Sequence, residues 1–342
     1  MSVRKNIVSV LGGLAPVNVW HSLCGQPLVL PYYHMVSDEY LPHVAPIYRY
    51  RNVRQFTADV EFFLKHFRPV ALADLLRHVN GGQPLPARAF LLTFDDGFRE
   101  MAEIVAPILH ARGVPAVFFI NSAFVDNQAL CLHQKIALLI HHVTTRATPA
   151  FINELKQLLH KQGLAGTNAE AMLRAVLYAQ RAVLDEAGAL AGLDFSDFLV
   201  RQKPYLSSGQ IRYLLQSGFE IGGHSVDHPW YRDQPLAEQL RQTRESVDYV
   251  QQQFDLNYRA FAFPHSDAGV TPAFFERSFG DKSLEISFGT GGLVRNQWPR
   301  HFQRFSLEKT RLPARSVLAY QYARRAVQNR RYPAPAPGTP AP

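Results

Sequence analysis

Apolar residues in this chain fall in two rhythms. Short continuous runs of strand length occur at 27–33, 68–72, 89–94, 116–120, 219–221, 259–263, 285–288 and 302–307. Between them, apolar positions recur every three or four residues, the spacing of one helix face. Phe56, Val60, Phe63, Leu64 and Phe67 line such a face over 52–67, behind a capping Asn52. Further helices are predicted over 73–79, 98–110, 208–217, 236–254 and 312–325. Asn80-Gly81-Gly82, Arg112-Gly113 and Gly218 stop three of them, and Ser207 caps another. Strand, helix, strand, helix in this order predicts parallel βαβ units and an α/β fold of seven or eight strands.

The rhythm breaks at about 126–203. This segment has no strand-like run and reads as helical, with candidates at 136–142, 151–162 and 169–186. It is an insertion, either decoration or a lid or edge for substrate. The body of the protein is then 27–325, preceded by an extension over 1–26 and followed by a Pro/Ala-rich tail over 326–342, which cannot pack a core. Arg4 and Lys5 precede an apolar stretch at 7–17, but Gly and Pro interrupt it and no clean cleavage site follows. No run is long enough to span a bilayer, and the expected location is cytoplasmic.

Two strand ends carry the candidate chemistry. The run at 89–94 passes directly into Asp95-Asp96-Gly97. Neighbouring residues at a strand end point in different directions, so one carboxylate can hold a cation while the other moves a proton. Asp-Asp-Gly alone would mark an ordinary turn. A second strand end, Gly222-Gly223-His224-Ser225-Val226-Asp227-His228, adds two imidazoles four residues apart. An acid and a His pair make three ligands, the number a catalytic zinc usually takes from protein. His133, His141 and His142, all in the insertion, are expected to take no part.

Thr93-Phe94-Asp95-Asp96-Gly97 followed by His224-Ser225-Val226-Asp227-His228 resembles the first two motifs of the polysaccharide deacetylases, the NodB-homology or carbohydrate esterase family 4 domain. Arg259-Ala260-Phe261-Ala262-Phe263-Pro264-His265 resembles the third, with His265 where an aromatic residue is commoner. The resemblance spans roughly 27–307 around the insertion. It implies a distorted (β/α) barrel, with which the strand–helix pattern agrees, and chemistry at the C-terminal ends of the strands. It also implies hydrolysis of an N-acetyl group from an amino sugar. Asp96, His224 and His228 would bind a divalent ion, zinc first among the candidates. Asp95 would be the general base, paired with Arg259, and a backbone N–H near Gly97 or Phe98 a further donor to the oxyanion. Ser225 and Asp227 would support the imidazoles. Asn121, Pro264 and His265 would line the substrate site, with Asp267 a second candidate for sugar contact.

Family members commonly supply a general acid from a Leu-x-His motif near the end of the domain, and none follows Pro264 here. Instead the first strand ends Tyr32-Tyr33-His34. This order resembles the circularly permuted deacetylases that act on poly-N-acetylglucosamine, and it makes His34 the candidate acid, a neutral imidazole near pH 7 that accepts a proton and returns it.

Composition changes this picture little. Among 342 residues, 47% are hydrophobic and the net charge is +8, which favours anionic surfaces. The one basic concentration, Arg324-Arg325 with Arg330-Arg331, lacks any recognition-helix or aromatic-interleaved pattern. It suits a solvated helix face or a membrane surface, not nucleic acid. Two cysteines, Cys24 and Cys131, supply neither a disulfide framework nor a metal-ligand spacing, and both are expected to be free thiols. The expected partner is an N-acetylated sugar polymer or glycoconjugate. Two alternatives stay open: a hydrolase of another amide, and a metal-dependent sugar-binding protein without turnover.

Overall fold

Eight parallel strands form one sheet whose order is β10(His301–Gln303), β9(Ile286–Gly289), β8(Ala260–Ala262), β7(Glu220–Gly223), β6(Ala116–Ile120), β5(Leu92–Phe94), β2(Pro31–Tyr33) and β11(Phe305–Ser306). The two ends of that order are neighbours in sequence, separated only by Arg304. The apolar run read as one strand over 302–307 is therefore two short ones. β10 pairs with β9 on one side, and β11 pairs with the first long strand, β2, on the other. This brings the sheet round into a nearly closed (β/α) barrel. The computed structural model describes residues 28–294 and 298–331. The predicted N-terminal extension and the tail from 332 onward lie outside the described residues, whereas 326–331 continue the last helix, Ala314–Arg331.

Alternation along each strand separates two cores. Val117 and Phe119 of β6 cluster with Leu91, Ala260, Ala262, Ile286 and Phe288, drawn from strands around the barrel. Phe118 and Ile120 of the same strand join Phe56, Val60 and Phe63 of the helix Val53–His66 and Leu214 of the helix Ser208–Gln216. At the N-terminal end, β1(Leu28–Val29) and β4(Ala89–Phe90) pair with each other, and β4 also pairs with β3(Arg68–Pro69), making a separate small sheet. The stretch expected as one helix over 98–110 instead opens with a π-helical segment, Met101–Val105, before the short helix Ala106–His110.

The insertion is helical, as its composition predicts. It comprises Leu132–Thr145, Pro149–Lys161, Ala169–Arg174, Val183–Leu190 and Phe195–Gln202. The helix expected over 169–186 is broken between Arg174 and Val183, where Tyr178 turns to donate its hydroxyl to Asp227 beside the His pair. The insertion has its own apolar core, including Leu139, Leu155, Leu159, Met172 and Leu184. Met35, Phe98 and Phe124, which follow the C-terminal ends of β2, β5 and β6, share that core. The insertion is thereby seated on the barrel rim where the polar strand ends gather.

Candidate active site

Four residues near the rim adopt a left-handed backbone that non-glycine residues rarely take: Asp96 (φ 70°), Ser225 (φ 69°), His228 (φ 68°) and His265 (φ 56°). Each such conformation costs on the order of 1–3 kcal/mol, and such strain clusters at functional sites. Gly97 continues the first turn at φ 64°, and a Cβ there would lie 3.0 Å from the Ile120 side chain. The tight turn after β5 therefore requires glycine, and it separates the directions of the two aspartates.

Asp96 meets the His pair. Its Oδ1 lies 3.4 Å from His224 Nε2 and 3.2 Å from His228 Nε2. His224 Nδ1 is 2.8 Å from the Ala262 carbonyl. A carbonyl can only accept, so Nδ1 carries the proton and a neutral ring presents the Nε2 lone pair to a carboxylate oxygen. Asp96 Oδ1, His224 Nε2 and both His228 nitrogens are buried without a hydrogen-bond partner. Lone pairs facing one another in a buried pocket call for a cation between them. The donor set, one carboxylate oxygen and two imidazoles within 4.8 Å of one another, suits a divalent transition ion. Burial works to raise the Asp96 carboxyl, and positive charge on its histidine side, His228 first, lowers it well below the carboxylate range; a cation between the three groups supplies that charge with both rings neutral.

Asp95 is placed differently. Arg304 donates Nη1 to its Oδ1 at 2.7 Å and Nη2 to its Oδ2 at 2.8 Å. Arg304 is wholly buried in the barrel, its guanidinium over the rings of Tyr32 and Phe119 and bonded to Thr93 Oγ1. Burial would raise Asp95, but Arg304 outweighs it and keeps the carboxyl low and ionised. The expected partner, Arg259, does not perform this role. Its guanidinium contacts Asp248, Gln251 and the Ser283 carbonyl. Arg259 precedes β8 at the N-terminal end of that strand, whereas Asp95 follows the C-terminal end of β5.

His34 follows β2, as the sequence predicts, and has a partner the sequence did not reveal. Glu308, two residues past β11, contacts His34 Nδ1 through Oε1 and accepts from the His34 backbone N–H through Oε2 at 3.0 Å. Burial opposes the imidazolium, but Glu308, helped by Asp96 and Asp95, overrides it and lifts the ring to about 9. His34 is thus an imidazolium at neutral pH, not the neutral ring expected. Tyr48 packs against it, ring centroids 5.2 Å apart.

The remaining candidates divide. Asn121 is buried beneath the His loop, its amide donating to the His224 carbonyl and, at 3.3 Å, to Ser225 Oγ. It braces ligands instead of facing substrate. Ser225 Oγ in turn accepts from the His228 backbone N–H at 3.0 Å. Asp227 binds Tyr178 and, at 2.7 Å, Gln242 Nε2, fixing the loop from outside the imidazoles. Asp267 is committed to His301, Gln303 and the Thr290 N–H. Pro264 is buried beside His265. His265 stacks on Trp230 at 4.2 Å and meets His228 edge-on at 4.3 Å. His133, expected to take no part, lies with its ring 4.8 Å from His265 and 5.8 Å from His228. In Phe302-Gln303-Arg304-Phe305-Ser306-Leu307, Arg304 is the one charged residue of a predicted strand, a weak signal, and Glu308 gave none.

Comparison with known proteins bears on family and fold. The sequence profile described as polysaccharide deacetylase matches residues 82–280, more than half of the chain. A poly-beta-1,6-N-acetyl-D-glucosamine N-deacetylase of Escherichia coli K12 is 36% identical over 100 residues, 28% of this chain. That segment spans only 14% of the relative's length. Among solved structures, the Streptococcus pyogenes deacetylase PplD in complex with acetate superposes with a TM-score of 0.55 at 12% identity, covering 86% of this chain and 97% of that one. IcaB from Ammonifex degensii gives 0.54 at 16% identity, covering 86% and 98%. These two likenesses concern the fold.

Proposed function

Since this chain belongs to the polysaccharide deacetylase family, and so to a family of carbohydrate deacetylases, we propose that it removes N-acetyl groups from a poly-N-acetylglucosamine polymer. The observation that carries this reading is the pairing of an Asp96–His224–His228 triplet, whose converging Oδ1 and Nε2 atoms lack hydrogen-bond partners, with two partnered proton carriers, Asp95 and His34. The E. coli relative and its named substrate support the choice of polymer.

Asp96, His224 and His228 would hold a divalent cation, zinc first among the candidates. When bound, such an ion supplies Lewis acidity, lowering the pKa of water and polarising a carbonyl. Asp95, ionised and fixed by Arg304, takes the proton from the water that attacks the acetyl carbon. Each Asp95 oxygen keeps a lone pair beyond the one engaged by Arg304, so the clamp orients the base without blocking it. The C–N bond then breaks, His34 delivers its proton to the leaving amine, and acetate departs. Glu308 keeps that proton on His34 until the amine needs it.

Release of acetate from poly-N-acetylglucosamine oligomers by the purified, zinc-loaded protein tests the proposal. Turnover abolished in Asp95→Asn supports it. Acetate release that Asp95→Asn leaves intact, or none from any N-acetylglucosamine oligomer, would sink it.

A further inference from the structure

The insertion brings a second set of metal-binding side chains to the rim. Cys131 immediately precedes the helix Leu132–Thr145, and His133 lies in its first turn. Cys131 Sγ and His133 Nδ1 are 3.9 Å apart. Together with His228 they present one ligand atom each within 4.8 Å of one another. The same is true of Asp96, His224 and His228, so the five donors fall into two triplets that share one ring.

We propose that Cys131, His133 and His228 form a second divalent-metal site, one whose ligands include a thiolate. The site shares His228 with the triplet of the hydrolytic reading but includes neither Asp96 nor His224.

Three observations carry it. Cys131 is buried and its backbone is held in place, the N–H donating to Tyr205 Oη at 3.1 Å. His133 faces His228 edge-on, at an interplanar angle of 84°. His228 is only 9% exposed, and neither of its ring nitrogens has a hydrogen-bond partner. A neutral imidazole carries one lone pair, so His228 serves one ion as it stands, and both at once only as an imidazolate that has lost its ring proton. One sulfur and two imidazole nitrogens suit a tetrahedral, borderline-soft ion such as zinc or cobalt, with a fourth position left for solvent. Hard ions such as magnesium, which prefer oxygen, are disfavoured. Binding is balanced by loss of the thiol proton from Cys131, since a coordinating thiol is deprotonated outright, while the imidazoles bind through lone pairs.

Cobalt substitution of the full chain tests this without reference to activity. The cobalt-loaded protein should show a near-ultraviolet sulfur-to-cobalt charge-transfer band. That band should vanish in Cys131→Ser, weaken in His133→Ala, and persist in Cys24→Ser and in Asp96→Asn. Persistence in Asp96→Asn separates this site from the hydrolytic one. Absence of the band in the unsubstituted protein, or its survival in Cys131→Ser, overturns the proposal. If Cys131→Ser does not fold, X-ray absorption on the unsubstituted zinc-loaded chain decides. A sulfur scatterer at about 2.3 Å supports the site, and a shell of nitrogen and oxygen alone refutes it.

Discussion

The two halves of the barrel rim are built on opposite principles. On the side of β5 and β7, Asp96, His224 and His228 converge with their donor atoms unanswered. On the side where β11 closes against β2, Asp95 and His34 are each locked to a charged partner flanking the last strand, Arg304 before it and Glu308 after it. The first arrangement is unstable as it stands and calls for a cation. The second is satisfied and fixes protonation states. A buried ionisable group left alone is tuned by whatever binds it, whereas a paired one is tuned by the fold.

The largest effect should follow removal of the proton-moving carboxylate. Asp95→Asn is expected to lower turnover by about 10²–10⁴, the usual worth of a positioned base. His34→Ala should keep the fold and lose most activity. His265→Ala, which loses the ring stacked on Trp230, should instead act mainly on KM.

Glu308→Gln sharpens the contrast through pH. The folded-state value of His34 is raised to about 9, so the imidazolium and the stability it adds are fully present below the unfolded imidazole value, about 6.5. Both are lost as pH rises through about 9. The kcat/KM profile should therefore carry an alkaline limb near 9. In Glu308→Gln that limb should move down towards the ordinary imidazole range, because burial is then opposed only by Asp96 and Asp95. A limb unmoved by the substitution would detach Glu308 from the acid.

Two arginine substitutions give a smaller, energetic comparison. Arg304→Met leaves Asp95 charged and buried, which should cost about 3–5 kcal/mol by denaturant unfolding at neutral pH. The folded Asp95 value is depressed, so the pair's stability is present above the unfolded carboxylate value, about 3.9, and is lost as pH falls through the folded one. The difference between Arg304→Met and the parent should shrink in acid accordingly. Arg259→Met breaks a half-exposed pair with Asp248, whose side chains are 19% and 35% exposed, and should cost only about 0–1 kcal/mol.

What the sequence revealed follows the same division. Asp95, Asp96, His224 and His228 lie within two short strand ends, and strand-end register alone brings such residues to one rim. β2 and its His34 were legible for the same reason. Arg304 and Glu308 were not, because their partners lie 209 and 274 residues away and meet only when the barrel closes. The run at 302–307 read as one strand, when Arg304 divides it and points into the barrel. Arg259 was favoured by resemblance, but it sits at the wrong end of β8. In the insertion, helical composition was correct, while the break at Tyr178 depends on a tertiary bond to Asp227 that local propensity does not encode. His133 could not be distinguished from His141 and His142 by spacing.

The central claim is that two adjacent aspartates serve opposite halves of the rim. It is tested most directly by measuring bound zinc and acetate release together for Asp95→Asn and Asp96→Asn, both in a Cys131→Ser background so that only the Asp96 triplet binds metal. Asp95→Asn should retain its zinc and lose turnover, and Asp96→Asn should lose the zinc itself. Equal zinc content in the two variants, or zinc lost from Asp95→Asn alone, would contradict the account.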